Sequence, residues 1–178
     1  MKRYIITGTP GCGKTSVIRA LELTGASVVS EAATDLIAFR QEQGDITPWK
    51  YPNFIDDIVG IQKHRQIDMC ENYSDLHFYD RSPICTYALA IYLGCEPSRK
   101  LISEIERIHK YHVYEKHVFF LENLGFITNT DARQISFEES LIFEKIHREV
   151  YAQFDYECVD IPAKSIDERV EIILKSIQ

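Results

Sequence analysis

The chain is short of the features that mark nucleic-acid binders, membrane proteins and disulfide scaffolds. No run of Lys and Arg exceeds two residues and the formal net charge is −7. That balance argues against nucleic acid as a main partner, because such partners select a basic patch or stripe. No apolar stretch approaches the roughly 20 residues of a membrane span, and the amino terminus lacks the apolar core of a secretory leader. Cysteines are odd in number and widely spaced (Cys12, Cys70, Cys85, Cys95 and Cys158), with no Cys-x-x-Cys pair. A zinc site or a disulfide framework is therefore not expected, and a reduced, cytoplasmic protein is. Internal repeats, low-complexity segments and linkers are also missing. The expected organisation is one domain over residues 1–178, long enough to bury a core.

What the sequence does contain is concentrated near its start. Gly8-Thr9-Pro10-Gly11-Cys12-Gly13-Lys14-Thr15 matches the phosphate-loop pattern G-x-x-x-x-G-K-[ST] at every specified position. With Gly at about 7% of residues, a random chain of this length would show it on the order of once in a hundred. Its setting sharpens the match. Arg3 to Thr7 is a β-rich run, and Ser16 to Leu23 reads as a helix. Glycines let consecutive backbone N–H groups turn inward around an anion, and the helix start adds its own unpaired N–H groups and dipole. Lys14 then reaches the β- and γ-phosphates, and the Thr15 hydroxyl is placed to ligate Mg²⁺.

The remainder alternates short strands with helices. Strands are expected at Ser27 to Ser30, Leu76 to Tyr79, His117 to Leu121 and Tyr156 to Ile161. The third of these is almost continuously apolar, as a strand buried on both faces must be. Helices are expected at Ala32 to Glu42, Phe54 to about Asn72, Pro83 to Leu93, from a Ser98 cap to about His109, and from capping boxes at Ser136/Glu139 and Ser165/Glu168. Such alternation implies an α/β fold, a parallel sheet covered by helices on both sides, with ligands at the carboxyl ends of the strands.

Three acids and bases stand at that edge. Asp80 closes a mostly apolar strand, as a Mg²⁺-binding carboxylate beside a phosphate loop does; a helix cap is the plainer account. Arg81 is suited to bidentate recognition of an acceptor group, or to a structural salt bridge with Glu31 or Asp80. Glu31 is a candidate base or acceptor of a substrate hydroxyl, against a helix-start acid that favours the dipole. Arg133 lies in an aperiodic, lid-like segment at about 124–136 and could stabilise charge on a transferring phosphate. The six histidines show no metal-ligand spacing, and Trp49, Tyr51, Phe54 and Tyr87 either line a cavity for a ring or pack in the core.

In order, the phosphate loop, Val28-Val29-Ser30-Glu31-Ala32-Ala33, Phe78-Tyr79-Asp80-Arg81-Ser82, Val118 to Leu121, Asp131-Ala132-Arg133 and Ser165 to Val170 resemble the AAA-type predicted ATPase/kinase family of P-loop NTPases. That family is similar to the nicotinamide-riboside kinase domain of bacterial NAD regulators, and the resemblance covers nearly the whole chain. It implies the nucleoside/nucleotide-kinase variety of the three-layer α/β/α P-loop fold, a five-stranded parallel sheet of order 2-3-1-4-5. It also implies that Ala163 and Lys164, in the loop after the last strand, lie beside the adenine. The nucleotide contacts are then Gly8 to Ser16 with Ala163 and Lys164, the metal ligands Thr15 and Asp80, and the catalytic set Lys14, Glu31, Asp80, Arg81 and Arg133. Asp80-Arg81-Ser82 resembles the Glu-Arg-Ser of deoxynucleoside kinases with a shorter acid. One lid arginine, where nucleotide-monophosphate kinases carry several, disfavours a monophosphate acceptor.

The expectation is an ATP- and Mg²⁺-dependent phosphotransferase acting on a small hydroxyl-bearing molecule, nucleosides included. The alternative is a nucleotide-dependent ATPase or GTPase switch without a small-molecule acceptor. No Asn/Thr-Lys-x-Asp guanine motif is present, which leans towards ATP.

Overall fold

The structure, a computed structural model, describes residues 1–68, 74–125 and 136–177. In chain order its elements are β1 Lys2–Gly8, α1 Lys14–Leu23, β2 Ser27–Val29, α2 Ala32–Glu42, a 3-10 turn at Pro48–Lys50, α3 Phe54–Asp68 and β3 Leu76–Asp80. There follow α4 Pro83–Tyr92, α5 Arg99–Lys110, β4 His117–Leu121, α6 Phe137–Gln153, β5 Glu157–Ile161 and α7 Ile166–Lys175. The five strands form one sheet in the order β2-β3-β1-β4-β5, and every pairing is parallel.

Local chemistry explains where the helices begin. Ser98 accepts from the Leu101 N–H at 3.1 Å, and full capping boxes form at Ser136/Glu139 and Ser165/Glu168. Pro83 takes the first turn of α4, where its missing N–H costs nothing. α1 starts at Lys14, two residues earlier than the sequence suggests, because the phosphate loop passes directly into it. The helix expected to reach Asn72 is described as far as Asp68.

The central strands bury both faces. Tyr4, Ile6, Phe78 and Phe119 point towards α1 and α7, joining Val17, Leu21, Val170 and Ile173. Ile5, Tyr79 and Val118 point the other way, onto Ile84, Ala88, Ile108, Val150 and Tyr151 of α4, α5 and α6. A third cluster fastens α2 and α3 to α4 and α5 through Leu36, Phe54, Ile58, Ala90 and Leu101. The alternation along each strand thus sorts the helices into two layers.

Register then sets the functional edge. Ile6 pairs with Asp80, and Gly8 with Leu121. Val29 pairs with Tyr79, so β2, β3 and β1 end side by side and β1, the strand feeding the phosphate loop, lies between β3 and β4. In open parallel sheets this reversal of strand order opens the ligand crevice.

Phe119 is fully buried, with its ring centroid 5.5 Å from that of Tyr4. Phe119→Ala should lower the unfolding free energy by about 3–5 kcal/mol, measured by urea denaturation. A loss under about 1 kcal/mol would mean that the layer between β4 and α1 is not close-packed.

Candidate active site

The loop from Gly8 to Gly13 is shaped by positions that only glycine satisfies. A side-chain carbon on Gly8 would stand 2.7 Å from the Leu121 carbonyl oxygen and 2.8 Å from the Cys12 sulfur. Gly13, with φ at 79°, is the left-handed N-cap of α1. No side chain caps this helix and no acid occupies its first turn. Its positive end is left to an anion. Thr9 and Cys12 are buried, whereas Gly11, Thr15 and Ser16 face outwards.

Lys14 is buried and ion-paired with the buried Asp80 carboxylate. Ser82, not Asp80, stands at the N-cap of α4, so Asp80 is turned to the phosphate loop instead of the following helix. Burial, with a smaller contribution from Glu31, pushes the Asp80 carboxyl above its usual range, against the pull of Lys14. The Thr15 hydroxyl and the Asp80 carboxylate are oxygen donors, the type of ligand that Mg²⁺ takes.

Arg81 adopts a left-handed backbone conformation, φ 72°, which a bulky residue takes only when its surroundings hold it there. Its N–H donates to the Ile6 carbonyl at 3.1 Å, extending the β1–β3 ladder by one step. The side chain turns back over the loop. Its Nε donates to Glu31 Oε1 at 2.6 Å and its Nη2 to the Gly8 carbonyl at 3.1 Å. Glu31 heads α2 at its N-cap, and its second oxygen accepts from Thr34 at 2.7 Å. The salt bridge read from sequence as one option for Arg81 is therefore formed, with Glu31.

The guanidinium has a further neighbour that sequence reasoning passed over. His147 of α6 lies 3.3 Å from Arg81 Nη1 through its Nε2, while its Nδ1 is 2.9 Å from the Phe143 carbonyl. A carbonyl only accepts, so Nδ1 carries the proton and Nε2 is left to accept from Arg81. The Phe143 ring completes the seat, its centroid 5.8 Å from the guanidinium carbon. His147 belongs to the apolar stripe Phe143, His147, Val150 and Tyr151. A histidine at the buried spacing of an amphipathic helix was the available signal.

Arg81 and Glu31 also line a cavity of about 250 Å³, together with Pro10 of the phosphate loop. Trp49, Phe54, Leu89 and Phe143 line its apolar body, and Gln62 and Thr86 add polar groups. Thr86 donates to Gln62 at 2.9 Å. Of the four aromatic residues singled out, Trp49 and Phe54 line the cavity. Tyr51 instead is exposed and donates to Asp45, and Tyr87 packs edge-on against Phe154.

Ala163 and Lys164 are exposed in the loop after β5, where Lys164 lies 3.6 Å from Glu168. That loop is joined to the phosphate loop by Arg169, which also escaped notice in the sequence despite sitting four residues before the buried Ile173. Arg133 and the segment around it lie outside the described residues. Among the described residues, no group of three or more His, Cys, Asp or Glu side chains is arranged to hold a metal ion, and no helix is long and apolar enough to cross a membrane.

Comparison with known proteins places this geometry. A family model described as an AAA domain matches residues 3–169. No curated protein sequence matches the chain. Among solved structures, the chain is similar to deoxyadenosine kinase from M. mycoides with bound dATP, at a TM-score of 0.61 and 16% identity, covering 99% of each chain. It is similar to the same enzyme with the products dCMP and a flexible dCDP bound (TM-score 0.61, 16% identity, 98% of each chain). With dCTP bound the TM-score is 0.60, at 16% identity, over 99% of this chain and 98% of that one. The five-stranded order and its flanking helices are thus those of a P-loop kinase fold.

His147 yields a pH prediction. Burial, and then the facing Arg81 charge, lower its pKa from 6.5 to about 3, outweighing the upward pull of the Phe143 carbonyl and Glu31. Between those values the unfolded chain binds a proton that the folded chain refuses. This contribution to stability is therefore complete above pH 6.5 and is lost as the pH falls towards 3. Replacing His147 with Gln removes the titration. Urea denaturation of both proteins from pH 7.5 to 4.5 should show a stability difference that is constant above pH 6.5 and shrinks below it. A difference constant over the whole range would mean that His147 is not held neutral.

Proposed function

This chain belongs to the AAA domain family of P-loop NTPases, and we propose that within it the chain is an ATP- and Mg²⁺-dependent kinase of a small hydroxyl-bearing acceptor of the nucleoside type. The observation that carries this reading is the Glu31–Arg81 pair. It stands between the phosphate loop, through the Arg81 bond to the Gly8 carbonyl, and an apolar cavity of about 250 Å³. A hydrolytic switch needs a positioned water at its phosphate loop; a kinase needs a second compartment for an acceptor. The cavity is that compartment.

In this reading the backbone from Gly8 to Gly13 and the side chain of Lys14 receive the triphosphate. Thr15 and Asp80 would hold Mg²⁺, which when bound neutralises charge on the phosphates. Lys14 exchanges its contact with Asp80 for the β- and γ-phosphates, freeing the carboxylate for the metal side. Glu31, fixed by Arg81 and Thr34, accepts the proton of the acceptor hydroxyl. Arg81 orients that hydroxyl from the loop side, and the apolar wall of the cavity excludes water from it. Ala163 and Lys164 would flank the adenine. The kinase fold shared with the deoxyadenosine kinase supports deoxynucleosides as the first acceptors to try.

The discriminating experiment measures ADP release with MgATP, alone and with a panel of nucleosides and deoxynucleosides. An acceptor should raise wild-type turnover well above its acceptor-free rate. Glu31→Gln should retain MgATP affinity and lose on the order of 10²-fold or more of acceptor-dependent turnover, the usual reach of a general base. Failure of every acceptor to raise turnover would favour the switch.

Lys14→Ala supplies a second prediction. MgATP affinity measured by calorimetric titration should fall at least tenfold, since the substitution removes a cation from the phosphates. Unchanged affinity would overturn the triphosphate reading of the loop.

A further inference from the structure

Arg169 of α7 is among the largest fully buried side chains, 2% exposed. Its three bonds reach three different loops. Nη1 donates to the Cys12 carbonyl at 2.6 Å, Nε to the Pro162 carbonyl at 2.9 Å and Nη2 to the Glu122 carbonyl at 3.4 Å. Those oxygens belong to the segments that follow β1, β5 and β4. Its partners among the described residues are all neutral carbonyls. A buried guanidinium held by carbonyls is a costly arrangement, because their dipoles compensate its charge only in part.

Its position gives that cost a use. Nη1 lies 3.6 Å from where a side-chain carbon on Gly13 would stand, directly against the last turn of the phosphate loop. In a trans peptide the carbonyl and the next N–H point in opposite directions. Fixing the Cys12 carbonyl on Arg169 therefore turns the Gly13 N–H away from Arg169, towards the concave side where the loop receives an anion. The Cys12 carbonyl, if it swung inward, would present a negative dipole to the phosphates.

We propose that Arg169 is a positioning residue of the triphosphate site: through the Cys12 carbonyl it holds the phosphate loop in its anion-receiving form. This inference rests on the reading of the loop as a triphosphate site. It concerns a residue that does not touch the nucleotide. The three bonds leave from three different nitrogens of the planar fork, a spread that a single ammonium nitrogen does not reproduce.

The test compares wild type, Arg169→Met and Arg169→Lys. Calorimetric titration measures binding of MgATP and of tripolyphosphate, with thermal melts of the ligand-free proteins alongside. Arg169→Met should weaken both ligands on the order of tenfold or more. The weakening should be similar for the two, because the defect lies at the phosphates. Arg169→Lys keeps the charge and loses the fork, so its affinity should fall between the other two. A merely structural staple would lower the melting temperature and leave both affinities at the wild-type value; that result overturns the proposal. Should the methionine variant fail to fold, the lysine variant decides alone: wild-type affinity in it overturns the positioning role. If wild type binds neither ligand, the triphosphate reading falls and takes this inference with it. Tight wild-type binding unaffected by Arg169 removes this inference only.

Discussion

A buried ammonium must have a counter-charge, and nearly everything at this edge of the sheet follows from giving Lys14 one. Lys14 is 4% exposed and its partner Asp80 8%. Two charges taken out of water recover the cost only if they meet in good geometry. That requires the end of β3 to lie beside the start of α1, which the Ile6–Asp80 register of adjacent parallel strands provides. With β3 placed there, the next residue must leave the sheet abruptly. Arg81 does so in the left-handed region, and the turn carries its guanidinium back over the Gly8 carbonyl. Glu31, at the N-cap of α2 just beyond the neighbouring β2, then pairs with it.

Among the described residues, the phosphate loop is bordered by the Lys14–Asp80 and Arg81–Glu31 pairs and by Arg169, which is held by carbonyls. The chain as a whole carries −7, yet three cations gather at this loop. The unprotonated Nε2 of His147 gives Arg81 an acceptor without adding charge to either side.

How much of this was legible in the sequence depends on whether a signal is local. The phosphate loop is contiguous, its glycines are dictated by backbone geometry, and its flanking strand and helix are visible beside it. Strand-end residues such as Asp80 were legible because hydrophobic runs show where strands stop. The sheet order came from family resemblance, since periodicity identifies strands without arranging them. Arg169 and His147 were missed for a different reason. Each is a polar residue at a buried helical spacing, and its role depends on which loop or side chain faces it across the packed layer. For Trp49 and Phe54 the sequence left a cavity and core packing both open, and it gave no sign of Thr86 or Phe143, which two separate helices bring to the cavity.

The wall of that cavity is stiffened by a polar cluster behind it. Cys85 of α4 lies 2.8 Å from the Tyr151 hydroxyl of α6 and 3.4 Å from Thr7 Oγ1 of β1, and Ser82 lies 3.2 Å from the same tyrosine hydroxyl. All four side chains are buried. Burial, followed by the influence of Cys85, raises the Tyr151 pKa well above its ordinary value, which keeps the hydroxyl neutral and able to donate. Buried polar groups are directional, and an imperfect alignment leaves one of them unpaired. α4 and α6 are therefore fixed in register against β1, and Leu89 and Phe143 with them. The opposite wall, built from Ile37, Trp49 and Phe54, rests on apolar contacts between α2, α3 and the Pro48–Lys50 turn. Apolar contacts tolerate exchange of one side chain for another of similar volume. The wall beside Arg81 is thus built to preserve geometry, and the wall across from it is the one that substitution can reshape without disturbing the phosphate loop.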